Sequence, residues 1–103
     1  MPEASQKPLF TISVAARLVK AHPRTLMIYE KRGLVKPFRT SKDRRLYSPK
    51  EIKFLHFIRF LTQKAGVNLN GVLVILEAID AASKTKLNLK KMLFPDYKEI
   101  NIF

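Results

Sequence analysis

Cysteine is absent from all 103 residues. Its absence excludes disulfide staples, thiolate metal sites, thiol nucleophiles and cysteine redox sensing. Histidine is scarce, with His22 and His56 alone, which argues against a zinc site built by this chain. Glycine occurs three times, and no Gly-rich phosphate loop is among them. Apolar runs are short, residues 72–76 being typical, whereas a bilayer span takes about 20 residues. The opening MPEASQKP has no apolar signal core, so the expectation is a flexible N-terminus over residues 1–8 and a cytoplasmic protein.

The length suits one small domain with a single modest core. Apolar residues at 47% and charged residues at 27% fit a folded chain rather than a disordered one. The composition is strongly basic, with 20 Lys+Arg against 8 Asp+Glu, a formal charge of +12. Fourteen of the basic residues and three of the acidic ones (Glu30, Asp43, Glu51) fall between Ser13 and Lys64. A polyanion is the natural partner of such a segment, and nucleic acid is the commonest. The plainer alternative is a solvated basic surface that serves solubility. An acidic membrane fits less well, because the charge is spread over short elements rather than along one amphipathic helix.

Residues 9–12 read as a short extended piece. Ser13 then reads as an N-cap, with a first helix over residues 13–20 whose apolar face is Val14, Ala15, Leu18 and Val19. Pro23 suits the first position of a second helix, which His22 or Thr25 helps to cap. That helix runs to Arg32 and stops at Gly33, a residue suited to a left-handed C-cap. Two short helices joined by a tight turn make a helix-turn-helix. Leu34-Val35 and Arg45-Leu46-Tyr47 then read as the two strands of a ribbon with a basic tip carrying Lys36, Arg39, Lys42 and Arg44. Ser48-Pro49-Lys50-Glu51 opens a third helix in the manner of a capping box, with Ile52, Leu55, Phe57, Ile58 and Leu61 as core positions and Gly66 as the stop. Asn68 caps a fourth helix, and residues 87–94 hold a further turn or two. The fold class expected is mainly α: a winged helix-turn-helix with a short two-stranded wing and two following helices.

The second helix and the ribbon carry the candidate DNA-binding residues. Arg24, Thr25, Met27 and Ile28 are placed toward bases or thymine methyls. Lys31, Arg32, Tyr29, Arg39, Lys42, Arg44, Arg45 and Tyr47 are placed toward phosphates, with Arg17 and Lys20 of the first helix flanking the backbone. His22 is either a helix cap or a phosphate contact. Tyr29 and Tyr47 fit the core equally well, and each cation alone fits a solvated surface. His56, beside Lys53 and Arg59, reads as a surface or boundary residue. Phe54 and Phe60 are most simply packed against the C-terminal segment or a second subunit. No carboxylate pair with a nucleophile is present, so neither enzyme activity nor a cofactor is expected.

Several of these motifs resemble the DNA-binding domain of MerR-type transcription regulators. They are Thr11-Ile12-Ser13-Val14-Ala15-Ala16, His22-Pro23-Arg24-Thr25-Leu26, Tyr29-Glu30, Gly33-Leu34-Val35-Lys36-Pro37, Arg39 and Arg45-Leu46-Tyr47-Ser48. A narrower resemblance, to the heat-shock repressor branch HspR, lies in Gly66-Val67-Asn68-Leu69-Asn70-Gly71-Val72 and the residues leading into it. The resemblance implies a DNA-binding domain over residues 9–82 and a homodimer on inverted-repeat operators of chaperone genes. It also implies repression with a DnaK-type chaperone as co-repressor, and location in the cytoplasm at the nucleoid. The lack of cysteine agrees with this branch and not with metal- or redox-sensing MerR types. Residues 83–103 are left as a short segment for dimerisation or partner binding. With no equivalent of the long MerR dimerisation helix after Asp80, a dimer would use Leu73, Ile79 and residues 87–94, or form on DNA. The sequence departs from the family at Met27, where Arg is usual, and at a wing tip reading Ser41-Lys42-Asp43-Arg44 without glycine. These departures leave a second reading, a MerR-like protein-binding adaptor that modulates a chaperone or co-chaperone.

Overall fold

A computed structural model describes residues 6–102; residues 1–5 of the expected flexible N-terminus and the terminal Phe103 lie outside the described residues. The order of elements is β1 (Phe10–Thr11), α1 (Ile12–Leu18), α2 (Pro23–Lys31), β2 (Phe38–Arg39), β3 (Arg45–Tyr47), α3 (Pro49–Gln63), α4 (Leu69–Ser83) and α5 (Leu89–Leu93). The described residues divide into two compact units, residues 6–56 with 100–102 and residues 57–99.

In the first unit a three-stranded antiparallel sheet has the order β1-β3-β2. The ribbon read from the sequence as two-stranded gains β1 as a third strand, with Phe10 opposite Tyr47 and Thr11 opposite Leu46. On the other side of β3, Phe38 faces Leu46 and Arg39 faces Arg45. Leu34-Val35 is not the first wing strand. The Leu34 N–H is already given to the Tyr29 carbonyl at 2.9 Å, and Pro37 has no N–H to offer a ladder. Pairing therefore begins after Pro37, and Leu34 and Val35 are buried in coil.

Helix α1 starts earlier than expected. Thr11, still extended, is the cap, and its Oγ1 accepts from Val14 N–H at 3.4 Å; Ser13 lies exposed in the first turn. The core of this unit is Ala15, Ala16, Val19, Leu26, Tyr29, Tyr47, Ile52 and Leu55. At the start of α3 the expected capping box is complete. Glu51 N–H donates to Ser48 Oγ at 3.1 Å, and Ser48 N–H donates to Glu51 Oε1 at 2.9 Å.

The second unit holds the end of α3 with α4 and α5. Asn68 caps α4 by accepting from Gly71 N–H at 2.8 Å. Phe57, Ile58, Leu61 and Val72 are buried. Around Phe57, an aromatic cluster gathers Phe60, Phe94 and Tyr97, with ring centroids 4.9–6.3 Å apart. Lys90 Nζ sits 4.4 Å from the Phe57 centroid. Phe60 thus meets the C-terminal segment, the simpler of its two expected roles. Among the described residues no helix is long and apolar enough to cross a membrane.

Candidate nucleic-acid interface

The second helix of the helix-turn-helix is set by chemistry at both ends. At the N-terminus His22 Nδ1 accepts from Arg24 N–H at 3.0 Å, so His22 is the cap. Pro23 occupies the first helical position, where its missing N–H is no loss. At the C-terminus Gly33, at φ +77°, lets its N–H reach the Glu30 carbonyl and the Leu34 N–H reach the Tyr29 carbonyl, both at 2.9 Å. This is a Schellman closure, and it turns the chain away toward the wing.

Between these ends, α2 separates its side chains by face. Leu26 and Tyr29 point inward and are buried. Arg24, Met27, Ile28 and Lys31 follow the i, i+3, i+4, i+7 spacing of one helix face, and all four are exposed. Met27 is 40% and Ile28 45% exposed. The outward stripe of α2 is therefore two solvent-facing apolar side chains between two cations. Thr25 is half-buried and Arg32 exposed at the C-cap, while Arg17 and Lys20 are exposed at the end of α1.

The wing is a three-residue hairpin. Asp43 N–H donates to the Thr40 carbonyl at 2.8 Å and Thr40 N–H to the Arg44 carbonyl at 2.9 Å. Asp43 takes the left-handed conformation at φ +61°, the position at which a hairpin of this type favours glycine. Thr40 Oγ1 braces the turn by accepting from Arg44 N–H at 3.1 Å. Lys42 and Arg44 are exposed at its tip. Lys36, expected on the tip, instead precedes the ribbon.

Of the predicted phosphate contacts, two are buried and two are engaged by a carboxylate. Tyr29 is 3% and Tyr47 0% exposed; both are core residues, and the phosphate role expected of them is withdrawn. Their rings fill apolar space, and the Tyr47 hydroxyl is enclosed with no hydrogen-bond partner among the described residues. Burial, with a smaller push from the Glu30 charge, raises the Tyr47 phenol to about 12. Arg39 and Arg45 are tied to a residue absent from the predicted set. Glu30 Oε1 accepts from Arg45 Nε at 2.6 Å and Glu30 Oε2 from Arg39 Nη2 at 3.0 Å. Arg39 Nη1 also donates to the Asp43 carbonyl at 3.2 Å and lies 3.5 Å from Asp43 Oδ1. Partial burial pushes the Glu30 carboxyl up, but the hydrogen bonds and charges of Arg45 and Arg39 outweigh it and hold it below its ordinary value. The available signal in the sequence is that Glu30 is the one acid in an otherwise basic helix.

A family model described as MerR HTH family regulatory protein matches residues 10–79. The chain belongs to the MerR family. Its similarity to the Streptomyces coelicolor protein named heat shock protein HspR is 44% identity over 70 residues, 68% of this chain and 46% of that protein. The HTH-type transcriptional regulators GlnR of Bacillus anthracis and Bacillus cereus are 33% identical over 86 residues, 77% of this chain and 66% of each of theirs. The chain thus spans about half the length of its HspR relative and just under two thirds of the GlnR proteins. The MerR match covers α1, α2, the wing and α3, the elements that carry every residue of the candidate interface.

Proposed function

We propose that this MerR-family chain binds double-stranded DNA and regulates transcription, with α2 in the major groove and the wing against the neighbouring backbone. The observation that carries the reading is the outward stripe of α2. Cations at Arg24 and Lys31 meet a phosphate-rich surface, and Met27 with Ile28 offers the apolar contact that thymine methyls accept. Repression of heat-shock or chaperone genes from inverted-repeat operators, by a homodimer with a DnaK-type chaperone as co-repressor, is the finer form of the proposal. Similarity to the protein named heat shock protein HspR supports that form.

Titrating salt against binding to duplex DNA tests the proposal. Apart from Arg39 and Arg45, which are paired with Glu30, the exposed cations among the predicted contacts include Arg17, Arg24, Lys31, Arg32, Lys42 and Arg44. If these six each neutralise a phosphate, log K falls against log salt with a slope of about −5 per bound chain, from roughly 0.9 per contact. A flat salt response, or no duplex binding at low salt, overturns it. Exposed Met27 and Ile28 favour one rival, in which the stripe docks on a chaperone or co-chaperone. That rival predicts no duplex binding and loss of the protein partner on Met27→Lys.

A further inference from the structure

Glu30 is misplaced on two counts if it has no partner. A carboxylate in the last turn of a helix opposes the macrodipole, whose C-terminal end already carries partial negative charge. On a surface meant for a polyanion it also repels the ligand. Each cost is met by the contacts it makes. Arg39 and Arg45 stand directly opposite one another on β2 and β3, an arrangement in which like charges destabilise a sheet. The carboxylate accepts from both, one guanidinium on each oxygen, and so converts a repulsive cross-strand pair into a bridge. Through Arg39 the same network reaches the turn at Asp43. One side chain on α2 therefore joins the helix to both wing strands and to the wing tip.

We propose that Glu30 is a positioning residue that clasps the wing to the last turn of α2 and sets the angle at which the two meet DNA. The inference rests on the DNA-binding reading above and deepens it. A guanidinium has five N–H donors, so Arg39 and Arg45 retain donors for phosphate while Glu30 fixes where those donors point. Recognition then depends on a residue that touches no nucleic acid and whose charge has the wrong sign for binding it.

That sign makes the inference testable, because removing the charge should tighten binding if electrostatics alone operates. A duplex is selected from a random-sequence pool by the wild-type protein, and its affinity is compared with that of the unselected pool for wild type, Glu30→Gln and Glu30→Asp. Glu30→Gln is expected to weaken the selected duplex about tenfold while leaving the unselected pool unchanged or bound slightly more tightly. Glu30→Asp keeps the net charge but shortens the clasp, and should lose affinity for the selected duplex in the same direction. Equal or tighter binding of the selected duplex by both variants overturns the clasp. If wild type binds no duplex at all, the DNA reading fails instead. The clasp then stands or falls on amide hydrogen exchange at residues 38–39 and 45–47, which should quicken in both folded variants and, if unchanged, refutes it.

Discussion

The wing of the first unit and the C-terminal part of the second are both short segments fastened to a helix, and they are fastened by opposite means. The wing is held by charge: one half-buried carboxylate receives two guanidiniums at 2.6 and 3.0 Å. Residues 89–97 are held by rings, Phe94 and Tyr97 packing edge-on or tilted against Phe57 and Phe60. Apolar burial offers no charge for salt to screen or acid to neutralise, whereas an ion pair near solvent is weakened by both. The difference suits the proposed role of the wing, in which Arg39 and Arg45 keep donors for phosphate while Glu30 holds them in place.

Removing a ring should have the largest effect. Phe57 is 2% exposed and central to its cluster, and truncating a buried Phe costs about 3–5 kcal/mol. Phe57→Ala should therefore lower stability to denaturant by an amount of that order, with the same loss at low and at high salt. A loss that shrinks as salt rises would mean that Lys90 over the ring, not the ring packing, holds the segment.

Breaking the clasp should cost less and behave differently. Charge-assisted hydrogen bonds contribute roughly 1.5–3 kcal/mol when buried, and exposure of these groups reduces the figure to about 1 kcal/mol for Glu30→Gln. The loss should shrink at high salt. It should also depend on pH with a definite sign. The folded Glu30 carboxyl lies below the ordinary value of 4.5, so its contribution is complete above that value and disappears as pH falls through the folded one. Melting curves of wild type and Glu30→Gln should accordingly converge in acid and separate toward neutrality. Parallel curves at every pH would show that the carboxylate adds nothing beyond the shape that glutamine also supplies.

These two anchors were unequally legible in the sequence, and the reason is distance along the chain. Pro23, Gly33, Asn68 and the Ser48–Glu51 box act on residues two to five positions away, so their types and spacing reveal the helix ends directly. Phe60 was readable as a packing residue because a helix apolar on more than one face needs a second cover. The Glu30–Arg45 bridge joins residues fifteen apart, and the pairing of β1 with β3 spans still more chain; no local rule announces either. Tyr29 and Tyr47 illustrate a different ambiguity. An amphipathic ring can satisfy a core or a phosphate, and only the surroundings decide. The charge of the interface was legible as a total, but the division between cations on the surface and cations committed to Glu30 required the fold.

His22 offers a smaller test of how α2 is held at its other end. If the imidazole acts as cap, His22→Ala should destabilise by about 1 kcal/mol and His22→Asn by much less, since asparagine is itself a good N-cap. Equal losses in the two variants would assign the stabilisation to the ring's packing rather than to its Nδ1.

The smallest expected effect lies at the wing tip and bears most directly on the comparison. Asp43 occupies a left-handed position, which costs a non-glycine residue up to about 1 kcal/mol. Its side chain returns part of that through Arg39, 3.5 Å away, although the carboxylate is 86% exposed and so contributes little. Asp43→Gly removes the strain and one surface negative charge, but it also releases the unfolded chain. The balance should be a gain of a few tenths of a kcal/mol in stability, together with slightly tighter binding to any duplex regardless of sequence. A loss of stability in Asp43→Gly would mean that Arg39 is held from the tip as much as from the helix. The clasp would then have two carboxylates, and truncating Glu30 alone would understate its strength.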